Sequence, residues 1–550
     1  LINGPTNAIS IALLSAIAIV EPERRLDAAI LLAFLVGAIQ LGISLLRLGD
    51  LTRYISHSVI VGFTLGAGSL LVLDQVKNLL GLAAAGDPHA HFLVRFWGSL
   101  SNDYGSGVGL TPVLDTWGSV DSEMFQADLA YAKDNLLQDT ELSARLSYLY
   151  FEKDSIGRMF PPGALVSVGQ DGNLFSAPQA GLALFTDGVF GEPINTEHQP
   201  ALDLAAVYSG VADHRLRLGA GAKYFKLETD NYKNFGPGVI DTQTLLPPPA
   251  INIIDGTLTH LTHDSPYIYL NNQERDLWYA LLQDEWTFAA NWVLTAGVRY
   301  DHYSDFGSTA NPRLALVWET RPDLTTKLLY GSAFRAPAFG ELYLQNNPSS
   351  VGNPDLVPET IDTLELAFDY QPISTFLAKF NIFAYQLDDL IERVPDAGRS
   401  TLTSRNSRDQ EGRGVELEAA WQVTDAFQLR GNVAYQQSED QDTGARVPDA
   451  PRWQTYVNAD WNFQPHWFLD GQWFWIADRS RAAGDPRPEV DNYSLVNLTL
   501  RRTDIAENWD VALLVKNLLD QDISEPTDSR IPGDYPMEGR SFFAELRYHF

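Results

Sequence analysis

The chain has 550 residues, no cysteine and a formal net charge of −31. Without cysteine it holds no disulfide framework, thiol nucleophile or cysteine-type zinc site, and so acidic a chain lacks the basic stripe that nucleic acid requires. Its 13 Trp and 22 Tyr suit the interfacial girdles of a large membrane barrel. The acid solvates long loops or forms an acidic vestibule that gathers cationic or metal-bearing solutes. Residue 1 is Leu rather than Met, which reads as a fragment of a longer chain.

The first part of the chain differs from the rest. Residues 8–20 are a short apolar run ended by Glu21-Pro22-Glu23-Arg24-Arg25. Residues 26–46 are a second run, of about twenty residues, long enough to cross a bilayer as a helix. Residues 59–80 make a third. Gly62 and Gly66 have G-x-x-x-G spacing, which permits close helix packing in lipid. No basic region precedes residues 8–20 and no small-residue cleavage site follows them, which argues against a signal peptide.

This segment resembles the SulP (sulfate permease) family of anion transporters. The resemblance rests on Gly4-Pro5-Thr6-Asn7-Ala8-Ile9-Ser10, on the stretch Leu48-Gly49-Asp50 to Val61-Gly62-Phe63, and on Pro88-His89-Ala90-His91-Phe92. It implies a broken helix aiming backbone N–H groups, the positive end of a dipole, at an anion. Pro5, Thr6 and Asn7 would then line the anion site. The resemblance stops near Trp97, and with half a site anion transport is not expected.

From about Met124 the pattern changes to alternating runs of about ten residues, the spanning length of a tilted barrel strand. Residues 142–150 put Leu142, Ala144, Leu146, Tyr148 and Tyr150 on one face and Ser143, Arg145 and Ser147 on the other. Runs recur to 541–550, giving about seventeen strands, or one more if 108–116 is a strand. Their connections alternate. Residues 210–214, 289–291, 371–373 and 423–425 are short turns; 151–200, 227–275, 333–360 and 387–412 are long. A membrane barrel does this, with tight turns on one side and long loops on the other.

Residues 330–370 form a strand, a long loop and a strand. The stretch reads Phe334-Arg335-Ala336-Pro337, then Gly340-Glu341-Leu342-Tyr343, then Gly352-Asn353-Pro354-Asp355-Leu356-Val357-Pro358-Glu359. Pro337 and Pro354 cannot donate to a ladder, so the chain leaves the sheet there, and Pro358 biases Val357 to an extended form. This block resembles the barrel signature of TonB-dependent outer-membrane receptors. The last strand puts Phe542, Ala544, Leu546, Tyr548 and Phe550 on one face and Glu545 and Arg547 on the other, so its register is firm. A terminal aromatic there resembles the signal read by the outer-membrane barrel assembly machinery.

The expected fold is therefore mainly β: an antiparallel transmembrane β-barrel over 124–550, after a short all-α transmembrane segment over 1–97 and a junction over 98–123. The receptor resemblance implies uptake of a small-molecule or metal-chelate ligand, such as an iron chelate or cobalamin, powered by TonB. It also implies a barrel of about 22 strands around a plug. Neither a plug nor a TonB box is found, so the barrel reads as partial and the chain as two joined fragments. The barrel belongs in the bacterial outer membrane, in contact with lipid, whereas the helices would favour the inner one. The alternatives are a SulP-type transporter fragment or a plugless pore. His260, His263 and Asp264 can bind metal in principle, but they read as polar loop residues. Gly412 and Gly414 suit strand entry better than a phosphate loop. No catalytic residue, cofactor, metal site or nucleic-acid partner is predicted.

Overall fold

A computed structural model describes residues 91–101, 118–397, 401–506, 508–527 and 533–549. Pro5, Thr6, Asn7, the three apolar runs, residues 108–116 and Phe550 lie outside them. Among the described residues no helix is long and apolar enough to cross a membrane. The main element is a single sheet of 20 strands. Two of these, Thr259–Leu261 and Ser350–Val351, are short side strands, which leaves eighteen in one antiparallel meander. Each of the about seventeen expected runs overlaps one of these strands. The additional strand, His91–Ser101, pairs with Gly118–Leu137. Residues 91–97, grouped with the helical segment from sequence, are thus β, and the strand containing Met124 begins at Gly118. Among the described residues the sheet is open: no pairing joins its first strand to its last.

The polarity of the two faces is inverted relative to a water-soluble sheet. On one face apolar residues stand directly opposite one another: Leu146 meets Leu129 and Leu202, Leu282 meets Leu218 and Val298, and Leu328 meets Leu316 and Leu366. The rows continue to Leu500 against Leu513 and Val511 against Leu546. Leu146, Leu282, Leu364 and Leu513 are each 51–53 % exposed, so this face has no protein cover among the described residues. An apolar surface of this extent requires an apolar solvent. The opposite face carries ion pairs: Arg145 with Asp128 at 2.6 Å, Arg299 with Asp301 at 2.7 Å, Lys327 with Asp369 at 2.5 Å and Arg430 with Asp460 at 2.8 Å.

The register is staggered. From Phe542 the row of partners runs through Val515, Leu498, Gly471, Ala459, Leu429 and Trp421 to Phe376. Phe542 lies beside a long connection and Phe376 beside a short turn, so the row descends the whole sheet. Tilted, sheared strands are the geometry of a cylinder.

Turns and long connections alternate as expected, with one exception: the tight turn 304–306 falls on the long-connection side. The long loops themselves are shorter than the sequence implied. Expected loop 151–200 holds strand to Phe160 and again from Val189; 227–275 holds strand to Lys233; 387–412 holds strand to Pro395 and from Leu402. In these extensions polar residues face both sides, as where Glu152 pairs with Thr196 and Glu392 with Arg405. The ladder continues while the apolar alternation stops, so the period-two signal vanishes before the strand does.

Leu513→Arg, on the apolar face, should lower the stability of the barrel in lipid vesicles by about 2–4 kcal/mol. Gln428→Arg, opposite Asp460 on the polar face, should change it by no more than about 0.5 kcal/mol. Urea unfolding of both variants measures the difference.

Candidate functional site

The long-connection ends are held together by side chains, and the block at 334–359 is the main clamp. Arg335, the last residue of strand Leu324–Arg335, grips Glu359 with two hydrogen bonds of 2.6 and 2.7 Å. Its remaining nitrogen donates to Glu341 at 2.9 and 3.1 Å. Glu341 also accepts the Ala338 N–H at 2.8 Å, which starts the five-residue helix Phe339–Tyr343. A planar fork satisfying two carboxylates is a task for Arg rather than Lys. The Pro337 carbonyl accepts from Arg275 at 2.9 Å. The Arg275 guanidinium, buried and paired with Asp305 at 2.6 Å, lies 4.5 Å from the Phe339 ring centre. Phe334 meets Tyr303 edge-on at 5.9 Å. A Cβ at Gly352 would come within 2.6–2.7 Å of the Leu342 and Leu344 backbone, so glycine is required there. Asn353 accepts the Asp355 N–H at 3.0 Å, turning the chain at Pro354. Asn406 holds both backbone groups of Val357 at 3.0 Å, just before Pro358. The signature is thus a buckle.

A compact cap lies beside it. Ala164–Gly169, Gln179–Phe185 and Ile251–Ile254 form a three-stranded sheet. Val166, Val168, Leu174, Ala183, Phe185, Val189, Phe235 and Tyr269 form its buried core. Among the described residues this cluster of buried apolar side chains sits in the cap rather than in the main sheet. Residues 266–272 cross the polar face of strand His214–Lys233: the Thr229 N–H donates to Asn272 at 2.9 Å, and Lys233 donates to the Tyr267 carbonyl at 3.0 Å. The buckle grips the same segment, with the Gln345 N–H on the Tyr269 carbonyl at 2.7 Å and Asn346 on the Pro266 carbonyl at 2.8 Å. Lys233 is fully buried, 4.8 Å over the Tyr269 ring. Burial pushes its amine down to about 8.

Three arginines join the last two long connections. Arg479 donates to the Ser524 carbonyl at 3.0 Å, Arg481 forks onto Asp534 at 2.8 and 2.5 Å, and Arg487 reaches the Thr527 carbonyl at 2.6 Å. On the polar wall below, a hollow of about 320 Å³ is lined by Gln126, Arg145, Ser147, Asp203, Lys223, Tyr279 and Arg299. Rings lie flat there over glycines of the next strand. A Cβ at Gly221, Gly412 or Gly414 would come within 2.3–2.6 Å of a Tyr279, Tyr385 or Phe383 ring atom respectively. Gly412 and Gly414 thus seat two aromatic rings in mid-strand rather than marking strand entry. The wall offers rings, amides and paired ions for binding a polar solute.

His260 stacks on Tyr232 with centroids 4.3 Å apart and pairs with Asp230 at 3.1 Å, whereas His263 pairs with Asp264 at 3.4 Å. They do not converge. Phe542, Leu546 and Tyr548 stand on the apolar face, opposite Val515, Val511 and Trp509. Arg275, Lys233, Tyr279 and Gly221 carried no motif in the sequence. Gly221 and Tyr279 stand inside alternating runs as a small and an aromatic residue, whereas Lys233 and Arg275 fall within the expected loop 227–275 and carry no signal.

The profile of the family described as TonB dependent receptor-like, beta-barrel, matches residues 77–518, and that of the Sulfate permease family matches residues 1–106. An iron-regulated outer membrane virulence protein of Vibrio cholerae is 30% identical over 203 residues, which are 34% of this chain and 31% of that protein. The vitamin B12 transporter BtuB of Vibrio cholerae is 26% identical over 280 residues, 50% of this chain and 42% of that one. The chain thus spans less than half the length of these curated relatives. A mutant of the ferric enterobactin receptor PfeA from Pseudomonas aeruginosa shares the fold, with a TM-score of 0.61 at 16% identity, over 84% of this chain and 67% of that one. These relatives are transporters and receptors, not enzymes.

Arg335→Ala should destabilise the folded barrel by roughly 1–3 kcal/mol, because Glu341 and Glu359 lose a charged partner, and Arg335→Lys should restore only part; thermal loss of the folded gel band measures both. Lys233 binds fewer protons folded than unfolded, so its burial cost is complete below about pH 8 and is relieved towards its ordinary 10.5. The cap's opening free energy, from hydrogen exchange corrected for intrinsic rate, should therefore rise with pH across this window, by at most about 1.4 kcal/mol per unit. In Lys233→Met it should stay flat.

Proposed function

This chain belongs to the TonB-dependent receptor β-barrel family, and from that membership we propose that it is the barrel of an outer-membrane receptor. In this reading it captures a scarce solute, such as an iron chelate or cobalamin, in the mouth formed by the buckled loops. The polar wall, with rings and amides below that mouth, passes the solute on once a plug moves. Import draws energy from the TonB complex, and the barrel assembly machinery inserts the chain into lipid. The observation that supports this reading most is the combination of an apolar face without protein cover and loops tied over the opposite, polar face. The names of the relatives, iron-regulated protein and vitamin B12 transporter, support the solute class. No nucleic acid takes part.

The proposed division is a SulP-like helical segment that ends before His91 and a receptor barrel that starts at the strand His91–Ser101 rather than at Met124, with closure of the barrel as part of the reading. A second reading, a fragment of a sulfate-type anion transporter, draws on the match over residues 1–106. That match covers a small part of the chain, and helices of that kind would hold it in the inner membrane.

Membrane fractionation, gel mobility and binding separate the readings. The receptor reading expects an outer-membrane, heat-modifiable band and saturable tryptophan quenching by a ferric catecholate or cyanocobalamin. Inner-membrane recovery would favour the transporter fragment. Ion conductance in planar bilayers without binding of either solute would mark a passive pore.

A further inference from the structure

We propose that segment 266–272 is a displaceable cover, and that the row of Thr229, Asn231 and Lys233 beneath it is a binding site for a carboxylate-rich anion, such as the organic part of a metal chelate. The proposal rests on the receptor reading, which places this end of the sheet at the mouth, and narrows it by naming the group that the mouth recognises. The strand His214–Lys233 turns alternate side chains to the polar face. On that face Lys223 lines the hollow in the wall. Thr229, Asn231 and Lys233 continue the same row towards the long connections, about 7 Å apart. They are 5%, 1% and 0% exposed. The segment over them belongs to no strand or helix. Its five carbonyls from Pro266 to Leu270 all accept hydrogen bonds: in turn from Asn346, Lys233, Asn346 again, the Gln345 N–H and the Thr229 hydroxyl. Backbone oxygens are thus laid along a row of donors, where the oxygens of a bound anion would lie.

The cover fits the row incompletely, in two places. Neither the amide nitrogen nor the amide oxygen of Asn231 has a hydrogen-bond partner among the described residues. A buried polar group without a partner is a standing penalty on the closed state. Lys233 donates to a single carbonyl at 3.0 Å. Among the described residues no carboxylate acts on it, although the chain's net charge is −31. A buried ammonium without a counter-ion is costly in the same way. A carboxylate supplies what both residues lack. Its oxygens accept from the Asn231 amide N–H and make charge-assisted bonds with the Lys233 ammonium, while the Thr229 hydroxyl exchanges one oxygen for another. The Asn231 oxygen is left to water. An anion reaches the row only after the segment lifts, so it binds the open state alone and shifts the population towards it.

Ile268 in the cover is 1% exposed, and the chain has no cysteine. Ile268→Cys, in the full chain folded in lipid vesicles, therefore reports lifting through its rate of labelling by a water-soluble maleimide. Citrate, with ionic strength held constant by chloride, should raise that rate several-fold and saturably. Lys233→Met on the same background should abolish the rise. Without citrate, Asn231→Leu should slow labelling about fivefold or more, because the closed segment no longer buries an unpaired amide. Hydrogen exchange of residues 266–272 in the unsubstituted chain reads the same citrate response with no substitution at all. A rate indifferent to citrate, or raised equally with Lys233→Met, would overturn the anion site and leave the receptor reading standing. Faster labelling in Asn231→Leu would show that Asn231 holds the segment down, and the cover would not be the displaceable one proposed. Recovery of the parent chain in the inner membrane, with no heat-modifiable band, would remove the receptor reading and the site together.

Discussion

Every strand in the meander depends on sideways pairing of backbone N–H and C=O groups with its neighbours. In water such groups have an alternative partner, and in hydrocarbon they have none. The ladder bulges near the tight turns, as between Trp286 and Ala289 or between Tyr370 and Ile373, and in the strand extensions, as between Leu387 and Leu390. Because side chains alternate, the same ladder that satisfies the backbone sorts leucine to one face and ion pairs to the other. The stagger that curls the sheet is a property of this ladder too.

In the proposed reading the sheet gives its apolar face to lipid, and it then cannot supply a conventional core. That core appears instead at one end, around Phe185 and Val168 in the cap. Segment 266–272 couples the cap to the buckle, since it is gripped by Thr229 and Lys233 from one side and by Gln345 and Asn346 from the other. The Arg335 fork and the arginines at 479, 481 and 487 serve the same end. They hold long polar segments in place where there is little apolar surface to bury. In the proposed reading such clamps hold the loops of a ligand-capturing mouth in place.

The sequence was most legible where two physical demands coincide. Period-two alternation of apolar and polar residues marks the about seventeen expected strands, and the Arg335–Glu359 block announces itself because its prolines, Gly352 and its charges each serve a separate geometric need. It was least legible where only one demand acts. Beyond the apolar rows the strands 140–160 and 189–208 still pair but face water on both sides, so they read as loop. The cap strands pair over long sequence separations, Leu182 with Ile251 for example, and short apolar runs give no hint of such partners. Gly412 and Gly414 read as strand entry in the sequence, because the rings that need them belong to the neighbouring strand, at Tyr385 and Phe383.

The central claim is that a sheet faces lipid with alternate side chains. A scan of single cysteines along the strand Trp292–Tyr303 in bilayers tests it most directly. The account predicts strict alternation: positions 294, 296, 298 and 300 react only with a lipid-phase reagent, and 295, 297, 299 and 301 only with a water-soluble one. Uniform aqueous labelling along the strand, or a repeat of three to four residues, would contradict it.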